Sequence, residues 1–438
     1  VYYIQNLNST KSIFKKFDLE IVYYKNTFGL SFHWDFLSGV SMADLYKSSE
    51  DINIISPVSN EIPNEITEPA LVFQFIINKL LAGDNSDNDL TKFAVDLQQI
   101  QLTSISSNIN LDILIQLIQK YQITQNINEE RCLLYVIEFF SMFESIIPEL
   151  VNLHFFDISI EKIQIPSPNS YLMLKIICNL FSDLENKENC LRTICSLAPL
   201  FAQFEDRSIF DQIIQFIYNY SLHNDATQNG AALIVDFMSQ FFQFFQKQSD
   251  ISAYSIERIL WVFALLCSKF STNLDPILHH PIFTDKSIYL TNSPIEITVP
   301  FLVFSKHLFE KDLNPFDLHI SDILPFLSSE HRSLVSSSLF LLSSQLNFSD
   351  EMQKEFQSID LKLFEELFSN SDYNIKLEYS FLFQCLFHYI QPEEINRFFI
   401  ENADFIFQFL SLDNDVITLH VLKFMNDLFN DVADSGTE

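Results

Sequence analysis

The chain has 438 residues, 48% hydrophobic and 14% aromatic, with 46 Phe and a formal net charge of −31. Such apolar content excludes a disordered chain, since each buried Phe is worth roughly 1.5–3 kcal/mol. The charge repels nucleic-acid backbones and acidic membrane leaflets, so no direct nucleic-acid binding is expected and a basic protein segment is the natural complement.

Residues 1–69 stand apart as an irregular segment. Ile21-Val22-Tyr23-Tyr24 and Ser31-Phe32-His33-Trp34 flank Gly29 and predict a short hairpin. Pro57, Pro63 and Pro69, interleaved with Glu50, Asp51, Glu61, Glu65 and Glu68, then mark an acidic linker.

From residue 70 to 430 the pattern is helical, and 431–438 is an acidic tail. Val72, Phe73, Ile76, Ile77, Leu80 and Leu81 form one apolar stripe that predicts a helix over 70–81. Gly83 to Asn88 reads as the polar loop that ends it. Further helices are expected over 110–121, 129–147, 170–183, 208–222, 228–247, 255–270, 295–310, 332–346, 360–368, 373–390, 393–400, 403–411 and 414–430. Pro315 is placed to open a helix, and Asp360 and Asp413 to cap helices. Five glycines, no two closer than ten residues, exclude the P-loop and the dinucleotide fingerprint. A single hairpin-type dipeptide, Asn229-Gly230, disfavours a large antiparallel sheet.

Similar segments recur. Leu324-x-x-Leu327, Phe364-x-x-Leu367 and Phe407-x-x-Leu410 each precede a polar turn and a new helix, at offsets of 40 and 43 residues. Apolar residues that close the long helices continue the series upstream: Phe140, Leu180, Leu222, Leu265, Leu308, Leu346, Leu386 and Leu428. A period near this value marks a helical repeat array. Ile323-Leu324-Pro325-Phe326-Leu327-Ser328-Ser329 and Leu363-Phe364-Glu365-Glu366-Leu367-Phe368-Ser369, each leading into an apolar helix, resemble armadillo or HEAT-type repeats. The resemblance implies an all-α superhelical solenoid in which a ladder of polar residues lines a concave groove. In that family an asparagine precedes the closing leucine, and Cys178-Asn179-Leu180 reproduces it. The tryptophan ladder of the family's import adaptors is not reproduced, because Trp34 and Trp261 are the only tryptophans. Family register puts forward Asn179, His307, Gln345 and Asp427 as partner-binding candidates.

Signs of chemistry are weak. His279-His280, between Pro276 and Pro281 and near Asp275 and Asp285, lacks the four convergent ligands that zinc needs and reads as packing. Cys385 and His388 share an apolar helix without oxyanion donors. The stripe Phe237, Phe241, Phe242, Phe244 and Phe245 reads as core. The six dispersed cysteines read as buried, reduced thiols of an intracellular protein, cytoplasmic or nuclear. Apolar runs such as 259–267 are too short to span a bilayer. The expectation is a non-enzymatic scaffold or adaptor, without cofactor or metal, that holds a protein or peptide partner, a basic one preferred. A nuclear transport receptor of the HEAT class, a regulatory subunit of a phosphatase or kinase complex, and a helical enzyme are the competing readings. The oligomeric state is left open.

Overall fold

The computed structural model describes residues 69–99, 111–201, 208–245, 251–270, 273–291, 293–357 and 361–371, and isolated positions from 375 to 422. Every regular element among them is helical. The hairpin and linker expected before residue 69, the helices expected beyond 373, the capping positions Asp360 and Asp413, and the tail lie outside the described residues. The chain divides into two compact units, one ending at Phe139 and the other beginning at Phe140.

The first unit contains α1 (Pro69–Ala82), α2 (Asp87–Gln99), α3 (Leu111–Ile123) and most of α4 (Ile127–Phe140). α1 buries Phe73, Ile76, Ile77 and Leu80, at helical spacing, and packs on α2 and α3. Gly83 ends α1 at φ 84°, a conformation that costs glycine nothing, and its N–H bonds the Lys79 carbonyl. The expected loop over 83–88 is shorter in the structure. Ser86 and Asp89 exchange reciprocal bonds, Ser86 N to Asp89 Oδ2 at 3.1 Å and Asp89 N to Ser86 Oγ at 3.3 Å, and so start α2.

The second unit continues with α5 (Ile147–Asn152), α6 (Phe155–Ile163), α7 (Ser170–Asn179), α8 (Lys187–Ser196), α9 (Ala198–Phe201), α10 (Ser208–Leu222), α11 (Gln228–Phe244) and α12 (Ala253–Lys269). Then come α13 (Asp275–Leu278), α14 (Ser287–Leu290), α15 (Ile295–Phe309), α16 (Ile320–Ile323), α17 (Arg332–Phe348), α18 (Asp350–Gln357) and α19 (Leu361–Asn370). The long helices α7, α10, α12, α15 and α17 pack each on the next, in chain order. A second row, α8, α11 and α13, packs in the same order. Each helix therefore meets its neighbour about one repeat away, as the armadillo/HEAT resemblance implies.

The closing residues fit this row. Leu180 caps α7, Leu222 ends α10, and Leu265, Leu308 and Leu346 lie in the last turns of α12, α15 and α17. Leu180, Leu308 and Leu346 are buried. Phe237, Phe241, Phe242 and Phe245 are core, as expected, while Phe244 is 45% exposed. No helix starts at Pro315. Asp312 and Asp317 take left-handed φ values there, and Phe316 turns inward with its ring centroid 4.8 Å from Phe301. The described cysteines are free, and all but half-buried Cys195 are buried.

Candidate functional site

α10 shows how the sequence makes a surface. From Ile209 to Ser221 every residue is buried except Asp211, Gln215 and Asn219, at successive fourth positions. Residues four apart share one helix face, so these three form a half-exposed polar stripe. α7 repeats the pattern with Tyr171, Lys175 and Asn179. α12 supplies Tyr254 and Arg258 at the equivalent turns.

These stripes line one cleft of about 460 Å³, together with Cys178 and Gln212. Its columns repeat: Tyr171, Asp211 and Tyr254, then Lys175, Gln215 and Arg258, at offsets of 40 and 43 residues, then Asn179 and Asn219 at 40. The volume lies in the range of clefts that take small molecules or a few peptide residues.

Hydrogen bonds fix the lining side chains. Gln215 Nε2 donates to Asn219 Oδ1 at 2.7 Å, and Asn219 Nδ2 donates to the Cys178 carbonyl at 3.3 Å. Gln215 Oε1 accepts from Arg258 Nε at 3.1 Å and from the Tyr254 hydroxyl. The Arg258 guanidinium lies 4.6 Å from the Tyr218 ring centroid and 5.1 Å from that of Tyr254, and its Nη1 bonds Glu257 at 2.9 Å. Burial lifts the Glu257 carboxyl above its usual range despite the neighbouring guanidinium. Asp211 Oδ1 accepts from Ser252 Oγ at 2.5 Å and Ser255 Oγ at 2.6 Å. The Cys178 thiol donates to the Gln212 carbonyl at 3.2 Å, and burial pushes its pKa well up.

The sequence-predicted residues have different fates. Asn179 lines the cleft, half-buried, and its amide donates to Ser141 Oγ at 2.9 Å. His307 lies on α15, away from the cleft, with its side chain 16% exposed and its Nδ1 2.8 Å from Glu310 Oε2. Burial holds the imidazole below its ordinary pKa. Burial also works against the Glu310 carboxylate, but the His307 hydrogen bond and the Lys306 charge outweigh it and keep that pKa at about 2. Gln345 corrects the sequence expectation. It is fully buried in α17, with Nε2 3.5 Å from the Leu318 carbonyl, and so cannot present its amide to a partner on a groove. Asp427 lies outside the described residues. His280 packs, stacked on Phe242 with centroids 4.8 Å apart, and its Nδ1 accepts the Ile282 N–H.

Sequence reasoning missed Asn219, Gln215, Tyr254 and Arg258. The available signal was the 40-residue offset from Asn179 to Asn219 and from Lys175 to Gln215. The closing-leucine anchor drifts by two residues between Leu180 and Leu222, so the position just before Leu222 is Ser221, which is buried, and not Asn219.

No protein-family model matches the chain, and no curated protein matches it in sequence. Solved structures do match. A crystal structure of an engineered protein superposes with a TM-score of 0.58, at 10% identity, over 81% of this chain and 88% of its own. A designed armadillo repeat protein in complex with the peptide (KR)4 matches at a TM-score of 0.33 and 11% identity, over 62% of this chain and 99% of its own. At these identities the first match shows a shared fold, and the second superposition is too loose to add to it. The fold is an all-α helical repeat. No helix among the described residues is long and apolar enough to cross a membrane.

Proposed function

We propose that this chain is a non-enzymatic scaffold that holds an extended segment of a protein partner across α7, α10 and α12. One observation carries the reading: polar residues interrupt otherwise buried helices at matching turns, and they converge on one cleft at the spacing of the repeat. Polar groups left half-exposed at these turns forgo packing energy, which a partner's contacts can return. Asn and Gln amides carry both donor and acceptor and so match a peptide backbone. The thiol that lines the cleft is buried, with a raised pKa that keeps it from being a thiolate, and this favours binding over covalent chemistry. The net charge of −31 favours approach by a partner whose bulk is basic.

A displayed peptide library selected on the full chain tests the proposal. Enriched peptides should lose at least about tenfold in affinity on Tyr254→Ala, since a truncated aromatic anchor costs more than 1.4 kcal/mol. A selection that enriches nothing, or enriched peptides indifferent to Tyr254→Ala, would refute it.

A further inference from the structure

One residue of the cleft wall lies deeper than its neighbours. Gln212 is 8% exposed, whereas Asp211, Gln215 and Asn219 on the same helix are half-exposed. The Cys178 thiol ties its main-chain carbonyl to α7 at 3.2 Å. Its side-chain amide makes no hydrogen bond among the described residues. Gln215 and Asn219 differ, because their amides bond one another and Asn219 also bonds the Cys178 carbonyl. A nearly buried amide without partners costs free energy, so a wall that keeps one suits a guest that supplies them.

The charges of the wall leave little choice of guest. Arg258 is ion-paired with Glu257 at 2.9 Å, and Lys175 and Asp211 are opposite in sign. No net charge remains to offset a carboxylate or an ammonium carried down beside Gln212, and burying either without compensation is costly. An apolar guest would shield the amide from water and return no bond. A carboxamide avoids both costs. It holds a donor and an acceptor side by side, as Gln212 does, so the two groups pair head to head through two hydrogen bonds. Depth selects a side chain over main chain: a peptide backbone runs at the level of the half-exposed residues, and a side chain reaches below them.

We infer that the cleft holds a carboxamide pocket, in which an Asn or Gln side chain of the captured segment pairs with Gln212 while its main chain crosses Gln215 and Asn219. This rests on the scaffold reading and names a side chain which that reading leaves open.

Peptides enriched from the displayed library on the full chain should share Gln or Asn at one fixed position. One such peptide, fluorescein-labelled, is compared with two forms that carry Glu or Met at that position. At about 150 mM salt, where charge is screened beyond about 8 Å, each replacement should weaken binding at least about tenfold, because it leaves the Gln212 amide unpaired. The Met form is uncharged, so its loss reads the missing hydrogen bonds and not repulsion by the chain. Gln212→Met keeps the side-chain length and lacks the amide. On that variant the preference for the carboxamide over the Met form should shrink below about threefold, whereas Tyr254→Ala should weaken both forms by similar factors. Should Gln212→Met fail to fold, the three peptides on the wild-type chain still decide. Enriched peptides that respond to Tyr254→Ala but share no Gln or Asn overturn the pocket and leave the scaffold reading standing. A preference that survives Gln212→Met, or a Met form that binds as tightly as the carboxamide, also overturns the pocket. A selection that enriches nothing overturns both.

Discussion

Gly230 shows how tightly single residues are placed. It lies in the first turn of α11, and a Cβ on it would stand 2.0 Å from Tyr220 Oη and 2.5 Å from Tyr220 Cζ. Tyr220 is 2% exposed, and its hydroxyl accepts the Thr227 N–H at 3.2 Å. Thr227 in turn caps α11, its Oγ1 accepting the Gly230 N–H at 3.0 Å. The ring cannot move aside without disturbing the cap. Gly230→Ala gains about 1 kcal/mol in helix propensity but sets against it about 1–3 kcal/mol of overpacking and about 1 kcal/mol from the cap. A net loss of about 1–3 kcal/mol is expected, read as a lower thermal midpoint; an unchanged midpoint would mean that Tyr220 yields freely. Asn229-Gly230 reads in sequence as a hairpin signal, yet the glycine serves close packing inside a helix. Only the position of Tyr220, ten residues earlier and across a turn, reveals this.

At the scale of elements, side chains reach back one repeat to close the helix before. Lys269, in the last turn of α12, donates to the Ser221 and Leu222 carbonyls at the end of α10, at 2.8 and 3.2 Å. Lys311, just after α15, donates at 2.9 Å to the carbonyl of Phe270, which caps α12. Asn219 does the same for Cys178 in the last turn of α7. In the first unit Lys120 reaches the Leu80 carbonyl near the end of α1. Each pairing serves orphan carbonyls at the negative end of a helix dipole. Lys269→Met keeps much of the stem but removes the donor. It should cost about 1–2 kcal/mol and lower the midpoint of urea unfolding, whereas Lys269→Arg should lose less. If Lys269→Met unfolds at the wild-type midpoint, these bonds add nothing net. The long apolar helices were legible because their stripes follow helical periodicity. The more polar partners α2, α8 and α18 were not, since each holds few apolar residues. Nor were the lysine pairings, whose partners lie about 40 residues apart and meet only after the helices pack. The family register falls on Asn179, which lines the cleft, but applied unchanged to α17 it selects the buried Gln345.

For the molecule as a whole, charge acts on two length scales. The net charge of −31 acts at a distance, and the side chains lining the cleft act in contact. Raising salt from about 10 to about 150 mM shortens the Debye length from about 30 to about 8 Å. A fluorescein-labelled decapeptide of alternating glutamate and glycine should therefore associate with the chain faster at the higher salt, as repulsion is screened, while one of alternating lysine and glycine associates more slowly. Stopped-flow fluorescence separates the two trends. An acidic probe whose association slows with salt would show that attraction, not repulsion, governs its approach.

The reach-back bonds also bear on how α7 to α17 would yield to force. Asn219, Lys269 and Lys311 fasten α10 to α7, α12 to α10, and the end of α15 to α12. Tension applied along that row would meet these fastenings in series, with each rupture releasing a length of chain close to one repeat. Extension would then proceed by discrete slips, and a unit that re-forms its fastening would recover its length, giving the row the behaviour of a ratcheting spring.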